Sequence, residues 1–153
     1  MDNVVLFFHL AGALLFVAGT VVAGIAFESA RRREDPSEIA LLLGLARSAV
    51  PLVLLGGILL LGCGLWLAGL EEDAGLGAGW VNGALALFVL ALALGGWGGR
   101  APRRARELAE RQARGEEADA DLRALLEDPR SRLANYASAA LIVAILALMV
   151  FKP

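Results

Sequence analysis

The segment that most constrains this fold is Ala49–Leu70, AVPLVLLGGILLLGCGLWLAGL, which contains no charged residue. As an α-helix rising about 1.5 Å per residue, it is about 33 Å long. The hydrocarbon core of a bilayer is about 30 Å thick, so the segment is long enough to cross it. Hydrophobic residues make up 58% of the chain and fall in long runs. The sequence therefore predicts an integral membrane protein.

Three further apolar runs have similar length and character. The predicted spans are residues 4–27, 49–70, 80–97 and 133–151 of a single transmembrane domain covering 1–153. Residues 39–46 are expected to prolong the second span, with Arg47 near the lipid headgroups and Pro51 in the first turns of the embedded part. The predicted fold class is an all-α membrane protein, an antiparallel four-helix transmembrane bundle.

The placement of the basic residues predicts the orientation of the spans. Arginines cluster in residues 28–38 and 98–132, whereas residues 71–79 contain no Lys or Arg. By the positive-inside rule, 28–38 and 98–132 are cytoplasmic, and both termini and 71–79 lie outside. We expect a multi-pass protein of the bacterial inner membrane. No Lys or Arg precedes the first apolar run, so we expect that run to be a span rather than a cleaved signal peptide.

Residues 98–132 form the largest polar segment. We expect two short helices lying on the membrane surface, separated near Gly115. Glu107 with Arg111, and Glu110 with Arg114, have the i,i+4 spacing of helical ion pairs. The acidic residues of the segment nearly balance its arginines, and the net charge of the chain is −2, so we expect no nucleic-acid partner.

Three residues that can ligate a metal fall in the outer half of the predicted bundle: His9, Cys63 and Met149. Imidazole, thiolate and thioether groups bind haem iron or copper. His9 would be an axial haem ligand, with Met149 or the His9 of a second copy as the other. All three residues are candidates for a copper site. The alternative is that His9 anchors the span at the interface and the two sulfur residues are apolar filler. An ionisable residue within a span is nevertheless a functional candidate.

Other polar and aromatic residues are assigned to the lipid interface, and no residue is assigned a catalytic role. Trp80 and Trp97 flank the third span, as in an aromatic belt. The other members of this group are Arg47, Trp66 and Tyr136. Arg47 would either extend its side chain to the headgroups or bind an anionic headgroup or a haem propionate.

Several apolar strings carry a family resemblance: FFHLAGALLFVAGTVVAG with its early His9, GCGLWLAG at the end of the second span, and the terminal LMVFKP. With a Trp at the start of the third span, they resemble the bacterial family of predicted integral membrane proteins of unknown function that is related to the copper resistance protein D group. The resemblance implies a four-helix inner-membrane protein, with His9 matching the family's first-span His.

The related groups suggest different chemistries. The copper resistance proteins imply copper handling, and the similar four-span membrane protoporphyrinogen oxidase implies haem or porphyrin. This chain departs from both patterns. It has no second His, Phe16 stands where the first-span pattern usually has Trp, and no Lys lies within a span to match that of the oxidase.

Three functions are consistent with these observations. The first is an accessory or structural subunit of a membrane complex, which self-associates or joins other chains in the bilayer. The second is a b-type haem- or copper-binding membrane protein with His9 as ligand. The third is a small transporter component. An enzyme is the less favoured interpretation.

Overall fold

The computed structural model describes residues 2–70, 79–116 and 121–151. Within them the chain forms seven helices: α1 (Asp2–Arg31), α2 (Pro36–Ser48), α3 (Val50–Leu70), α4 (Gly79–Gly98), α5 (Arg100–Ala113), α6 (Leu122–Leu126) and α7 (Pro129–Phe151). The acidic segment 71–78, expected outside the membrane, falls outside the described residues.

Four helical runs are long and apolar enough to cross a membrane: Asn3–Arg31, Pro36–Gly69, Gly79–Ala113 and Leu122–Phe151. Each contains all or nearly all of one predicted span, and the predicted all-α four-helix bundle is confirmed. The second run has a turn at Ala49, between α2 and α3. Pro51 lies in the first turn of α3, where its missing N–H is tolerated.

Helices α1 and α3 approach closely because glycines line their interface. A Cβ on Gly12 would lie 2.7 Å from the Cβ of Leu59, and one on Gly19 would lie 3.1 Å from the carbonyl of Ala49. Gly56 faces the backbone of Phe16 in the same way. Small residues let helix backbones come close in lipid, so α1 and α3 form one tightly packed pair.

Helices α4 and α7 form a second pair that is joined by two serine hydroxyls. Ser138 donates to the carbonyl of Ala91 at 2.8 Å, and Ser131 donates to the carbonyl of Gly98. Pro102 has no N–H with which to bond that Gly98 carbonyl. The hydroxyl of Ser131 thus satisfies an acceptor that the helix leaves open, and it ties the two spans together.

Phe16 and Phe88 connect the two helix pairs near the middle of the bundle. Their ring centroids are 5.5 Å apart, and both side chains are buried. Ala84 and Ile145 complete this buried cluster. The contact between Phe16 and Phe88 thus lies at the centre of the fold and joins α1 to α4.

A separate hydrophobic core lies at the end of the bundle where the arginines are concentrated, which we call the cap. It is built from the last turns of α1 and from α2, α5 and α6, and it consists of Phe27, Ala30, Ile39, Leu43, Ala105, Leu108, Ala109, Leu122 and Leu126. The two expected short helices are present as α5 and α6. However, only one turn residue, Gly99, separates α5 from α4, and its N–H bonds to the carbonyl of Gly95.

The ion pairs of α5 differ from those expected. Arg106 pairs with Glu110, and Arg111 and Arg114 both bind Glu116 instead of Glu107 and Glu110. The cause is the end of α5, where Gly115 adopts a φ of 77°. The N–H of Glu116 then bonds to the carbonyl of Arg111, which folds the carboxylate back toward both arginines.

Candidate functional site

His9 lies in a notch between α1 and α3. Its Nδ1 is 3.2 Å from the carbonyl oxygen of Leu60. The absence of a side chain on Gly64 makes room for the ring, since a Cβ there would lie 3.0 Å from the imidazole Cε1. His9 is half-buried. Its position thus depends on a glycine one turn beyond the residue whose carbonyl it contacts.

The hydrogen bond to Leu60 assigns the tautomer of His9. A carbonyl oxygen can only accept, so Nδ1 carries the proton and Nε2 carries a lone pair in the neutral ring. Ligating histidines usually donate their second ring N–H to a carbonyl or carboxylate, which fixes the ring orientation. The notch therefore holds His9 in the form that a metal or haem iron requires of a ligand, and the same bond also holds α1 to α3.

The two sulfur residues occupy separate surroundings. Cys63 is a half-buried free thiol on α3, and Met149 packs against the cluster of Phe16, Ala84, Phe88 and Ile145. No group of three His, Cys, Asp or Glu side chains within the described ranges is placed to share a metal ion. His9 is thus held by α3, whereas Met149 packs against the central aromatic cluster.

The residues assigned to the lipid interface are mostly exposed. Trp66 and Tyr136 are largely uncovered, and Trp97 is 46% exposed. Arg47 is exposed on α2, two residues before the turn at Ala49. Trp80 is half-buried in the first turn of α4. In a bilayer these outward positions would meet lipid, and their interface role stays a prediction.

The cap contains a polar contact that the sequence did not indicate. Arg123 on α6 donates to the carbonyl of Arg31 at 2.8 Å and also to the carbonyl of Arg33. The carbonyl of Arg31 ends α1 and that of Arg33 lies two residues beyond it, so Arg123 is at the helix end where the dipole favours a positive charge. The only feature of the sequence that pointed to this contact was the long helix α1, because the last carbonyls of a helix need hydrogen-bond donors from elsewhere.

Two carboxylates outside the spans have lowered pKa values. The backbone N–H of Ser37 donates to Asp35 at 2.7 Å and lowers the pKa of that carboxyl below its usual range. Hydrogen bonds from Arg114 and then Arg111 lower the pKa of Glu116. Asp35 is the N-cap residue of α2. Its charge therefore stabilises one of the helices that build the cap.

Four membrane-length helical runs, packed in pairs through glycine and serine contacts, define a polytopic α-helical membrane protein. The chain belongs to the family described as Predicted integral membrane protein (DUF2269), whose model matches residues 3–153. No curated protein and no solved structure matches the chain. The family match confirms the expected membrane family of unknown function, and it does not extend to the copper resistance protein D group.

Proposed function

We propose that the protein is an accessory or structural subunit of a membrane complex, formed with copies of itself or with other spanning chains. The observation that supports this role is an outward-facing notch on α3 at Gly62. Apart from its two chain neighbours and the nearby backbone of its own helix, no described atom lies within 4 Å of a Cβ built on Gly62. On the same helix face, Ile58 and Trp66 flank it at one turn on either side, and they are 68% and 62% exposed.

Glycines inside the bundle show what the notch at Gly62 can accommodate. Where glycines such as Gly12 and Gly56 occur at internal interfaces, a neighbouring helix approaches within contact distance. A helical glycine costs up to about 1 kcal/mol relative to alanine, and small residues are enriched where membrane helices meet. Gly62 leaves a comparable gap on the outer surface, which a side chain from another helix would fill.

Photocross-linking in native membranes tests this role. A photoreactive benzoylphenylalanine at Ile58 should form an adduct with a neighbouring protein chain. The same group at Val143, also an outward apolar position (65% exposed), is the matched control. Gly62→Leu should abolish the Ile58 adduct because it fills the notch. Equal adduct yields at both positions, or none at Ile58, would contradict the proposal.

The orientation and location belong to the same proposal: an inner membrane, with residues 28–38 and 98–132 cytoplasmic and both termini outside. The arginine distribution supports it. In a Cys63→Ser background, Glu116→Cys should resist an impermeant maleimide in intact cells, whereas Asp73→Cys should react. The opposite pattern would reverse the orientation.

A second candidate function is b-type haem or copper binding through His9, supported by the hydrogen bond between Nδ1 and the Leu60 carbonyl. Met149, Cys63 or the His9 of a second copy would supply further ligands. The test is a reduced-minus-oxidised visible spectrum with metal analysis of protein purified from haem-replete cells.

Two substitutions separate a ligand from a packing residue. His9→Asn keeps an N–H donor for Leu60 but lacks Nε2, and His9→Ala lacks both. A ligand role predicts that both variants lose the Soret band or the metal. A colourless and metal-free wild-type protein, or cofactor retained by His9→Asn, would overturn it.

A further inference from the structure

A cavity of about 460 Å³ opens where α4 passes into α5 and where α7 begins. Trp97, Arg100 and Arg104 line it on one side, and Asp128, Arg130 and Ser131 line it on the other. Cavities of this size fall within the range that binds small ligands. The cavity lies at the boundary between the apolar spans and the arginine-rich cap. In a bilayer it would therefore face the lipid headgroups.

The charge in the cavity is unbalanced. Among the described residues, no carboxylate forms an ion pair with Arg100, Arg104 or Arg130. Asp128 is already engaged, because its oxygens accept the backbone N–H groups of Arg130 at 3.3 Å and Ser131 at 3.0 Å. Three guanidinium groups therefore line the cavity against one carboxylate that caps α7. Planar guanidinium groups bind phosphate through paired N–H donors.

The neighbouring surface of α4 is apolar and continues the same helix face. Ala86, Leu90, Ala93 and Trp97 recur at helical spacing, and all four are exposed. Arg100 and Arg104, three and seven residues beyond Trp97, line the same cavity as Trp97. The surface thus offers an apolar strip, then an aromatic ring, then cations, which is the order of acyl chain, interface and headgroup in a phospholipid.

We propose that this cavity binds the phosphate headgroup of an anionic glycerophospholipid, with the acyl chains lying along α4. Arg100, Arg104 and Arg130 hold the phosphate, and Trp97 marks the level of the glycerol backbone. The site is independent of the Gly62 notch and of His9. A basic residue near an anionic lipid surface contributes about 1 kcal/mol, which corresponds to about a fivefold change in affinity for each arginine removed.

Tryptophan fluorescence measures occupancy of the site directly. Trp66→Phe with Trp80→Phe leaves Trp97 as the single tryptophan of the full-length protein, which has three. We expect brominated phosphatidylglycerol to quench Trp97 more strongly than brominated phosphatidylcholine at equal mole fraction. Arg100→Gln and Arg104→Gln should each reduce this preference about fivefold. Arg103→Gln, which changes an exposed arginine outside the cavity, is the matched control and should leave it unchanged.

Native mass spectrometry of otherwise unaltered full-length protein provides a second readout. Arg130→Gln tests the cavity from α7, whereas Arg100 and Arg104 lie on α5. Phosphatidylglycerol adducts should survive in wild type and Arg103→Gln and decrease in Arg130→Gln. Equal quenching by the two lipids, or a preference that survives in Arg100→Gln and Arg104→Gln, would overturn the proposal. Displacement of phosphatidylglycerol by millimolar inorganic phosphate would assign the cavity to a free anion instead and would also overturn it.

Discussion

Gly56 of α3 lies directly against the backbone of Phe16 on α1. A Cβ at position 56 would stand 2.5 Å from the Phe16 amide nitrogen and 2.7 Å from the carbonyl oxygen of Gly12. Backbone atoms cannot rotate away as a side chain can. The whole α1–α3 pair would have to separate, and Phe16 also forms the contact with Phe88 that joins the two helix pairs.

Gly56→Ala should therefore lower the free energy of unfolding by about 1–3 kcal/mol, the usual cost of overpacking an interior. Gly44→Ala on α2 is the matched control, because a Cβ there would meet no described atom within 4 Å apart from its chain neighbours and the nearby backbone of its own helix. It should be neutral or stabilising by up to about 1 kcal/mol. Unfolding in mixed micelles, followed by circular dichroism, measures both. Equal stability of the two variants would show that α1 and α3 do not approach so closely.

The hydrogen bond from His9 to Leu60 predicts a graded effect of substitution. His9→Ala should destabilise the protein by about 1 kcal/mol or more, since it removes the bond and part of the packing at Gly64. His9→Asn, which retains a donor, should recover part of that loss. The same unfolding assay applies. If His9→Asn is as destabilising as His9→Ala, the bond makes no contribution to stability.

Arg123 holds α6 against the end of α1 through its bonds to two carbonyls. Hydrogen bonds from charged groups contribute about 1.5–3 kcal/mol, and exposure of one of these bonds reduces that value. Arg123→Gln should cost about 1–2 kcal/mol and should speed hydrogen exchange in α6 and in the last turn of α1. Arg114→Gln removes only an exposed ion pair with Glu116 and should leave exchange in these segments unchanged. Unchanged exchange in Arg123→Gln would refute this role.

The pH dependence of the cap follows from Asp35. Folding lowers the pKa of Asp35 because the Ser37 N–H stabilises the carboxylate. The stabilisation is therefore complete above its ordinary pKa of 3.8 and is lost as the pH falls through the lower folded value. Asp35→Asn caps the helix without titrating. The stability difference between wild type and Asp35→Asn should shift against wild type below about pH 4, and a constant difference from pH 6 to pH 3 would contradict this.

The four spans were predictable because the length of an apolar run is a local property of the sequence. The cap was not, since its core forms only when α2 meets α5. The sequence places an apolar stripe on α5, formed by Ala105, Leu108 and Ala109. The pattern alone does not show which helix packs against it. The partner of the Gly98 carbonyl was not predictable either, because Pro102 cannot bond to it and the donor is Ser131, far along the chain.

For the candidate ligand residues too, the sequence indicates the residue but not the surroundings that the fold gives it. Sequence reasoning identified His9, but not the Leu60 carbonyl and the Gly64 gap that orient it, since these depend on the register of α1 against α3. It also predicted a cytoplasmic location for the arginine-rich segment 98–132, which stays a prediction. Only the fold brings Arg130 to the same cavity as Arg100 and Arg104.

The most direct test of the proposed function is the mass of the particle extracted from native membranes with a styrene–maleic acid polymer, which retains neighbouring proteins and lipid. One chain has a mass of 16.0 kDa. The proposal predicts a wild-type particle containing more than one protein chain, and a Gly62→Leu particle that is reduced to a single chain while remaining folded. A single chain in the wild-type particle, or an unchanged assembly in Gly62→Leu, would contradict the assignment of this protein as a subunit that assembles through α3.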